Sequence, residues 1–269
     1  MAIITISRGT FSGGQSLAED VAKKLGYRCI SREVLVEAAR QYDVAEESLR
    51  KTLIEKPGFL EHRSLESVHY LAYVRAILCK EARDYRVVYH GDVGNLLLRG
   101  VPHVLAVKVI VNIEFRVTAA MNRYDFSREE AIHFIRKVDD NRARRTKFLY
   151  NVDWNDSSLY DIVINLDTME LTSVSKIICH TASLDVFQTT PEALEIMDDL
   201  VLSTDLRAAI AKDGSIADGE VEVEAHRGVV TVMGTVDKLH EADTIRAVVR
   251  HTPGVQEIKS KIKIRYPGG

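Results

Sequence analysis

With 269 residues, a formal net charge of -3 and a sequence pI near 6.3, the chain has no general electrostatic pull toward nucleic acid or anionic lipid, so any basic site must be local. A hydrophobic content of 46% can fill one large core or a medium core plus a small one, and two domains are expected. Cys29, Cys79 and Cys179 are scattered without C-x-x-C spacing, so they suggest neither a zinc site nor a disulfide framework and read as buried thiols in a reducing compartment.

The chain opens on a short apolar strand, Ala2 to Ile6, with no basic region or long apolar run, so a cytoplasmic location is expected. This strand runs into Gly9-Thr10-Phe11-Ser12-Gly13-Gly14-Gln15-Ser16, which matches the spacing G-x-x-x-x-G-K-[ST] except that Gln15 stands at the lysine position. Such a loop curls backbone N–H groups around an anion and aims a helix N-terminus at it. Gly9, Ser12, Gly13, Gly14, Gln15 and Ser16 are therefore predicted to hold phosphate, without the usual point charge. The Ser12 and Ser16 hydroxyls would ligate phosphate or magnesium, or act as ordinary helix caps, and the glycines have an alternative role in packing a tight turn.

After the loop, Leu17, Val21 and Leu25 repeat every four residues, and Gly26 stands where a helix would stop. A short strand over Tyr27 to Ile30 follows, then a helical stripe running from Leu65 through Leu78 and Cys79 to Ala82. Val87 to Tyr89, Val104 to Val111 and Ile162 to Ile164 are apolar runs too short for helices. Pro102, His103, Lys108 and Asn112 interrupt the most apolar stretch, so it reads as a buried strand and no transmembrane segment is expected. Ser127 with Glu130 makes a capping box for a further helix. This strand-helix alternation implies an α/β fold, a parallel sheet flanked by helices.

Thr181 to Pro191 reads as a connector, and a second unit follows in the order helix, strand, strand, helix, strand: Leu194–Lys212, Glu220–Ala225, Val229–Thr235, Lys238–Arg250 and Val255–Ile264. The expected division is residues 1–181, a linker over 182–194, and a small α+β unit over 195–269.

Arg142, Arg144, Arg145 and Lys147 crowd two helical turns ahead of an aromatic loop read over Phe148 to Trp154. Such an arm can supply donors around a migrating phosphoryl group, or it is a solvated basic helix end favoured by the helix dipole. Arg8, Arg32 and Asp92 sit at strand ends, where ligands gather in open α/β sheets; Asp92 would hold magnesium or cap the next helix.

Ser7-Arg8 with Ser12-Gly13-Gly14, Ser31-Arg32-Glu33, Gly91-Asp92-Val93-Gly94, Asp139-x-x-Arg142-Ala143 and Val152-Asp153-Trp154 with Tyr160 to Asn165 resemble the cytidylate-kinase-like family of P-loop nucleoside monophosphate kinases. The resemblance spans about residues 1 to 181. It implies a five-stranded parallel core, ATP with Mg2+ as donor, a nucleoside monophosphate acceptor and a lid bearing Arg142, Arg144 and Arg145. By position and resemblance, Arg32 is expected to meet the acceptor phosphate, with Arg8 beside it. Family members carry lysine or arginine where Gln15 stands and commonly an arginine where Asp92 stands, so two phosphate-facing cations are missing. Gly228 to Val236 with Pro253-Gly254-Val255 resemble a BON domain, a noncatalytic module with an unidentified ligand or partner. The implied function is phosphoryl transfer to a pyrimidine nucleoside monophosphate, with a catalytically silent nucleotide sensor as the alternative. Neither reading involves nucleic acid.

Overall fold

The computed structural model describes residues 1–54, 65–91, 93–216 and 220–265. They pack into two compact units. The first comprises residues 1–33, 53–54 and 84–189, and the second residues 34–52, 65–83 and 190–265.

In the first unit, β1 (Ile3–Arg8) leads through the glycine loop into α1 (Gly14–Leu25) and β2 (Arg28–Ile30). Three helices of the second unit, α2 (Glu33–Tyr42), α3 (Glu46–Ile54) and α4 (Leu65–Asp84), follow in sequence. The chain then returns through β3 (Val87–His90), the single turn α5 (Gly94–Leu97), β4 (Val104–Ile110), α6 (Ile113–Tyr124), α7 (Arg128–Tyr150), β5 (Ile162–Asn165) and α8 (Leu171–Ala182). All five strands are parallel, in the order β2-β3-β1-β4-β5, with β1 between its two partners: Ile4 lies opposite Val88 on one side and Leu105 on the other.

This arrangement explains why β1 and β4 are buried at nearly every position, since central parallel strands are covered on both faces. Ile4, Ile6, Leu105 and Val107 meet Leu17 and Val21 of α1 and Val174 and Ile178 of α8 in one core. Each such side chain contributes roughly 1.5–3 kcal/mol on burial. Gly26 ends α1 in the left-handed conformation, φ 68°, as a glycine at that position predicts. Helices α6 and α7 enclose a small core of their own, Val117, Ala120, Ala131 and Ile135, against which Phe11 of the glycine loop is packed. The Phe11 ring meets Tyr124 edge-on with centroids 5.9 Å apart.

In the second unit, α9 (Pro191–Lys212) precedes β6 (Glu222–His226), β7 (Val229–Val236), α10 (Leu239–Arg250) and β8 (Glu257–Ile264). Strands β6 and β7 are antiparallel and join through Arg227 and Gly228, both at positive φ (51° and 76°), the geometry of a two-residue hairpin turn. After α10, β8 returns parallel to β7. Leu206 and Ile210 of α9, Val230 and Val232 of β7 and Ile245 and Val249 of α10 form the core. Helices α2 and α4 join this unit: the Tyr42 and Tyr73 rings stack 4.2 Å apart, and the Tyr73 hydroxyl donates to the Ala211 carbonyl at 3.0 Å.

Several boundaries differ from expectation. Helix α7 continues to Tyr150, so Phe148 to Tyr150 are helical and only Asn151 to Trp154 are loop; Asn151, at φ 56°, is the residue that stops the helix. The stretch read as a plain connector holds the end of α8, a 3-10 turn over Asp185–Phe187 and the capped start of α9, with Thr190 accepting from the Ala193 N–H. Phe187 is buried in the first core.

Candidate functional site

The loop between β1 and α1 and the helices α6 and α7 face one another across a cleft of about 210 Å³. Gly9 and Ser12 line it from the loop, Lys108 to Val111 from β4 and its end, Arg116 from α6, Asp139, Asp140 and Ala143 from α7, and Trp154 and Asn155 from the loop after α7.

The cleft is held together by Asp139. Its carboxylate accepts from the Thr10 backbone N–H at 3.2 Å, from Arg142 at 3.1 Å and from Arg116. Arg116 also donates to the Thr10 carbonyl at 2.6 Å. A Cβ on Gly9 would stand 3.2 Å from the Arg116 guanidinium, so glycine permits this close approach. Loop and helical arm are thus joined by charged hydrogen bonds on one side and by the Phe11 aromatic contact on the other.

Three buried polar atoms around this cleft have no hydrogen-bond partner among the described residues: Thr10 Oγ1, Ser12 Oγ and Trp154 Nε1. Leaving a buried donor or acceptor unpaired costs about 1–3 kcal/mol, so native structures seldom keep such groups without a use. Gly13, at φ 75°, caps α1 without any side-chain bond, leaving the first-turn N–H groups directed at the loop. Unclaimed N–H groups and hydroxyls at a helix N-terminus fit an oxyanion such as a polyphosphate.

Lys108 lies on the floor of the cleft, 5% exposed. Its ammonium donates to the Trp154 carbonyl at 2.9 Å and to Asn155 Oδ1 at 3.1 Å, and stands 4.1 Å from the centroid of the Trp154 ring. Burial pushes its pKa below the usual lysine range, partly opposed by Asp153 and Asp139.

The sequence-predicted residues divide into those at the cleft and those away from it. Gly9 and Ser12 line the cleft, while Gly13 and Gly14 start α1. Arg8 ends β1 with its aliphatic stem against Gly14, where a Cβ would come within 2.3 Å of it. Gln15 is exposed and donates its amide to Glu19 at 2.9 Å; Ser16 is exposed in the first turn of α1. Of the three lid arginines, Arg142 and Arg145 are buried and Arg144 points outward. Arg142 and Arg145 lie over the Trp154 and Phe148 rings at 5.3 and 5.6 Å. Arg32 is exposed between β2 and α2. Asp92 lies outside the described residues. His90, at the end of β3, is buried, and desolvation followed by the nearby Arg8 charge lowers its pKa.

Sequence reasoning missed Lys108, Arg116 and the role of Asp139 as the joint of the cleft. Lys108 carried a signal, since it is a lysine inside an otherwise apolar strand. Arg116 carried none, because one arginine on an amphipathic helix resembles any surface residue.

A parallel sheet of this order, with a glycine loop between its central strand and first helix and an arginine-bearing helical arm over it, defines a kinase-like nucleotide-binding fold. Residues 3–168 match the model of the cytidylate kinase-like family, and residues 198–266 match that of the BON domain. The chain belongs to the cytidylate kinase-like family. It is 25% identical over 177 residues to a cytidylate kinase of Sulfurisphaera tokodaii, a match covering 65% of this chain and 92% of that protein. A cytidylate kinase of Methanothrix thermoacetophila is 27% identical over 163 residues, covering 61% of this chain and 87% of its own length. The crystal structure of an uncharacterized protein from Eubacterium ventriosum superposes with a TM-score of 0.54 at 20% identity, covering 68% of this chain and 98% of that one, and shares the fold. Among the described residues no helix is long and apolar enough to cross a membrane.

Proposed function

We propose that the first unit binds ATP at the glycine loop and transfers its γ-phosphoryl group to a pyrimidine nucleoside monophosphate of the CMP type. The observation that carries this reading is the set of unpartnered groups at the cleft, where Ser12 Oγ, Thr10 Oγ1 and the first-turn N–H groups of α1 await an anion. The likeness to two proteins named cytidylate kinase supports the choice of acceptor.

In the transfer, an oxygen of the acceptor's phosphate forms the new bond to Pγ as the bond from Pγ to the β,γ-bridging oxygen breaks. The electron pair leaves with ADP. The acceptor oxygen is already anionic, so no general base is needed, and positioning with electrostatic stabilisation carries the reaction. Gly9, Ser12, Gly13 and Gly14 cradle the donor phosphates, with Gln15 and Ser16 beside them. Arg142, held by Asp139 at the cleft, and the buried Arg145 stabilise the transferred group, and Arg144 joins on closure of the arm. Arg32 and Arg8 receive the acceptor phosphate. Ser16 and Asp92 would hold Mg2+, which when bound neutralises charge on the β- and γ-phosphate oxygens. The module over residues 195–269 binds a partner or ligand without taking part in the chemistry.

The test is ADP formation from ATP with CMP, dCMP, UMP and AMP as acceptors. Turnover with a pyrimidine monophosphate, lost by at least 10³-fold in Arg145→Ala, supports the reading. Saturable ATP binding with no turnover on any acceptor refutes the enzyme and leaves a nucleotide sensor.

A further inference from the structure

The glycine loop brings no cation of its own to its ligand, since Gln15 is exposed and bonded to Glu19. Arg116 and Arg142, two guanidiniums beside the loop, share the carboxylate of Asp139, so much of their charge is already answered. Lys108 differs from both. It makes no ion pair among the described residues, and its hydrogen-bond acceptors, a backbone carbonyl and a side-chain amide, are neutral. Asp153 and Asp139 act on it only through space, and a buried ammonium without a contacting counter-ion is costly.

The position of this charge is informative. In register, Lys108 stands beside Ser7 and Val109 beside Arg8, so the side chain leaves β4 next to the strand end from which the glycine loop departs. Trp154 and Asn155, which hold the ammonium, line the same cleft as Gly9 and Ser12. The unpartnered Ser12 hydroxyl and the unpartnered Trp154 Nε1 are there as well. An ammonium with no contacting carboxylate among the described residues, two unpartnered polar groups and a glycine loop converge on one space.

We propose that Lys108 supplies the cation missing from the loop: its ammonium, reaching the cleft from β4, binds the donor polyphosphate in place of a lysine at position 15. The inference rests on the ATP reading above and adds the residue that replaces the absent point charge. The lysine has moved from the helix to the neighbouring strand, and Trp154 and Asn155 fix its orientation. Charge-assisted bonds are about twice as strong as neutral ones, and the loss of one on the order of 2 kcal/mol is about 10- to 100-fold in binding or rate.

Lys108→Met separates this role from a structural one. The substitution strands no acceptor, because the Trp154 carbonyl also takes the Tyr160 hydroxyl at 3.0 Å and Asn155 is exposed to water. It also removes a buried charge. Thermal stability should therefore hold or rise while kcat/KM for ATP falls 10- to 100-fold, and adding Gln15→Lys to Lys108→Met should recover at least tenfold. Wild-type turnover that Lys108→Met leaves within twofold would overturn this inference alone. So would a loss of activity that Gln15→Lys does not recover, or a Lys108→Met chain that fails to fold, since the ammonium would then be structural. Absence of ATP binding by the wild-type chain in equilibrium dialysis would overturn this inference and the ATP reading together.

Discussion

Asp139→Ala removes the carboxylate that, among the described residues, ties the glycine loop to the helical arm. The Thr10 N–H bond to it, at 3.2 Å, is a long charge-assisted bond of about 1.5 kcal/mol. The pairs to Arg116 and Arg142 involve side chains only 10–23% exposed, so each stands in the upper part of the usual surface range, about 0.5–1 kcal/mol. Together these contributions predict a loss of about 3 kcal/mol. The chain has a single tryptophan, Trp154, on the cleft wall, so its fluorescence during urea unfolding reports on the unit that contains the change. With a urea dependence of about 1–3 kcal/mol per molar, the midpoint should fall by about 1–3 M. Asp139→Asn, which keeps an acceptor for Thr10 but loses the charge, should fall between. A midpoint for Asp139→Ala within about 0.3 M of wild type would refute the view that this carboxylate holds loop and arm together.

Gly14→Ala puts a methyl group within 2.3 Å of the Arg8 stem, so Arg8 must leave its place; ATP affinity measured by calorimetry should fall at least tenfold while the far-ultraviolet dichroism stays unchanged. His90 and His103 are both buried with pKa values lowered from 6.5, so the unfolded chain binds more protons between the lowered values and 6.5. Their contribution to stability is complete above about pH 6.5 and lost as the pH falls through the window below it. Thermal midpoints should drop between pH 7.5 and 5.5, less steeply in His90→Gln. Of the three thiols read as buried, Cys79 is buried and Cys29 and Cys179 are half-buried; desolvation raises Cys29 and Cys79 to about 11 and raises Cys179 as well, so all three should react with Ellman's reagent at pH 8 more slowly in the native chain than in urea, and an immediate native burst would contradict the raised values.

Legibility in the sequence followed the range of the forces involved. Strands β1 and β4 were visible because continuous apolar runs mark a buried parallel sheet. The start of α7 was visible because Ser127 and Glu130 announce a reciprocal cap, and both bonds form. The cleft was half legible: the glycine spacing located the phosphate loop, while Asp139 and Arg116 meet it from 129 and 106 residues away. The outward turn of Arg144 beside the inward Arg142 and Arg145 follows from helical phase, which a cluster of like residues conceals. Helix α3 lacks a strong apolar stripe, whereas α2 buries Val34, Ala38 and Tyr42 at every fourth position. Their place with the C-terminal unit depends on contacts such as the Tyr42–Tyr73 stack, which no local pattern encodes.

That placement bears on how the chain is made. Helix α4 finds its bonding partner in α9, with Tyr73 and Ala211 separated by 138 positions. At a synthesis rate of about 5–20 residues per second, the nascent chain waits roughly 7–28 s between exporting one and the other. During that interval an apolar helix emerges from the ribosome before its binding surface exists, and a fragment ending ahead of α9 would leave it unmatched permanently. The two compact units are therefore interleaved along the polypeptide, with α2 and α4 lying in sequence between β2 and β3.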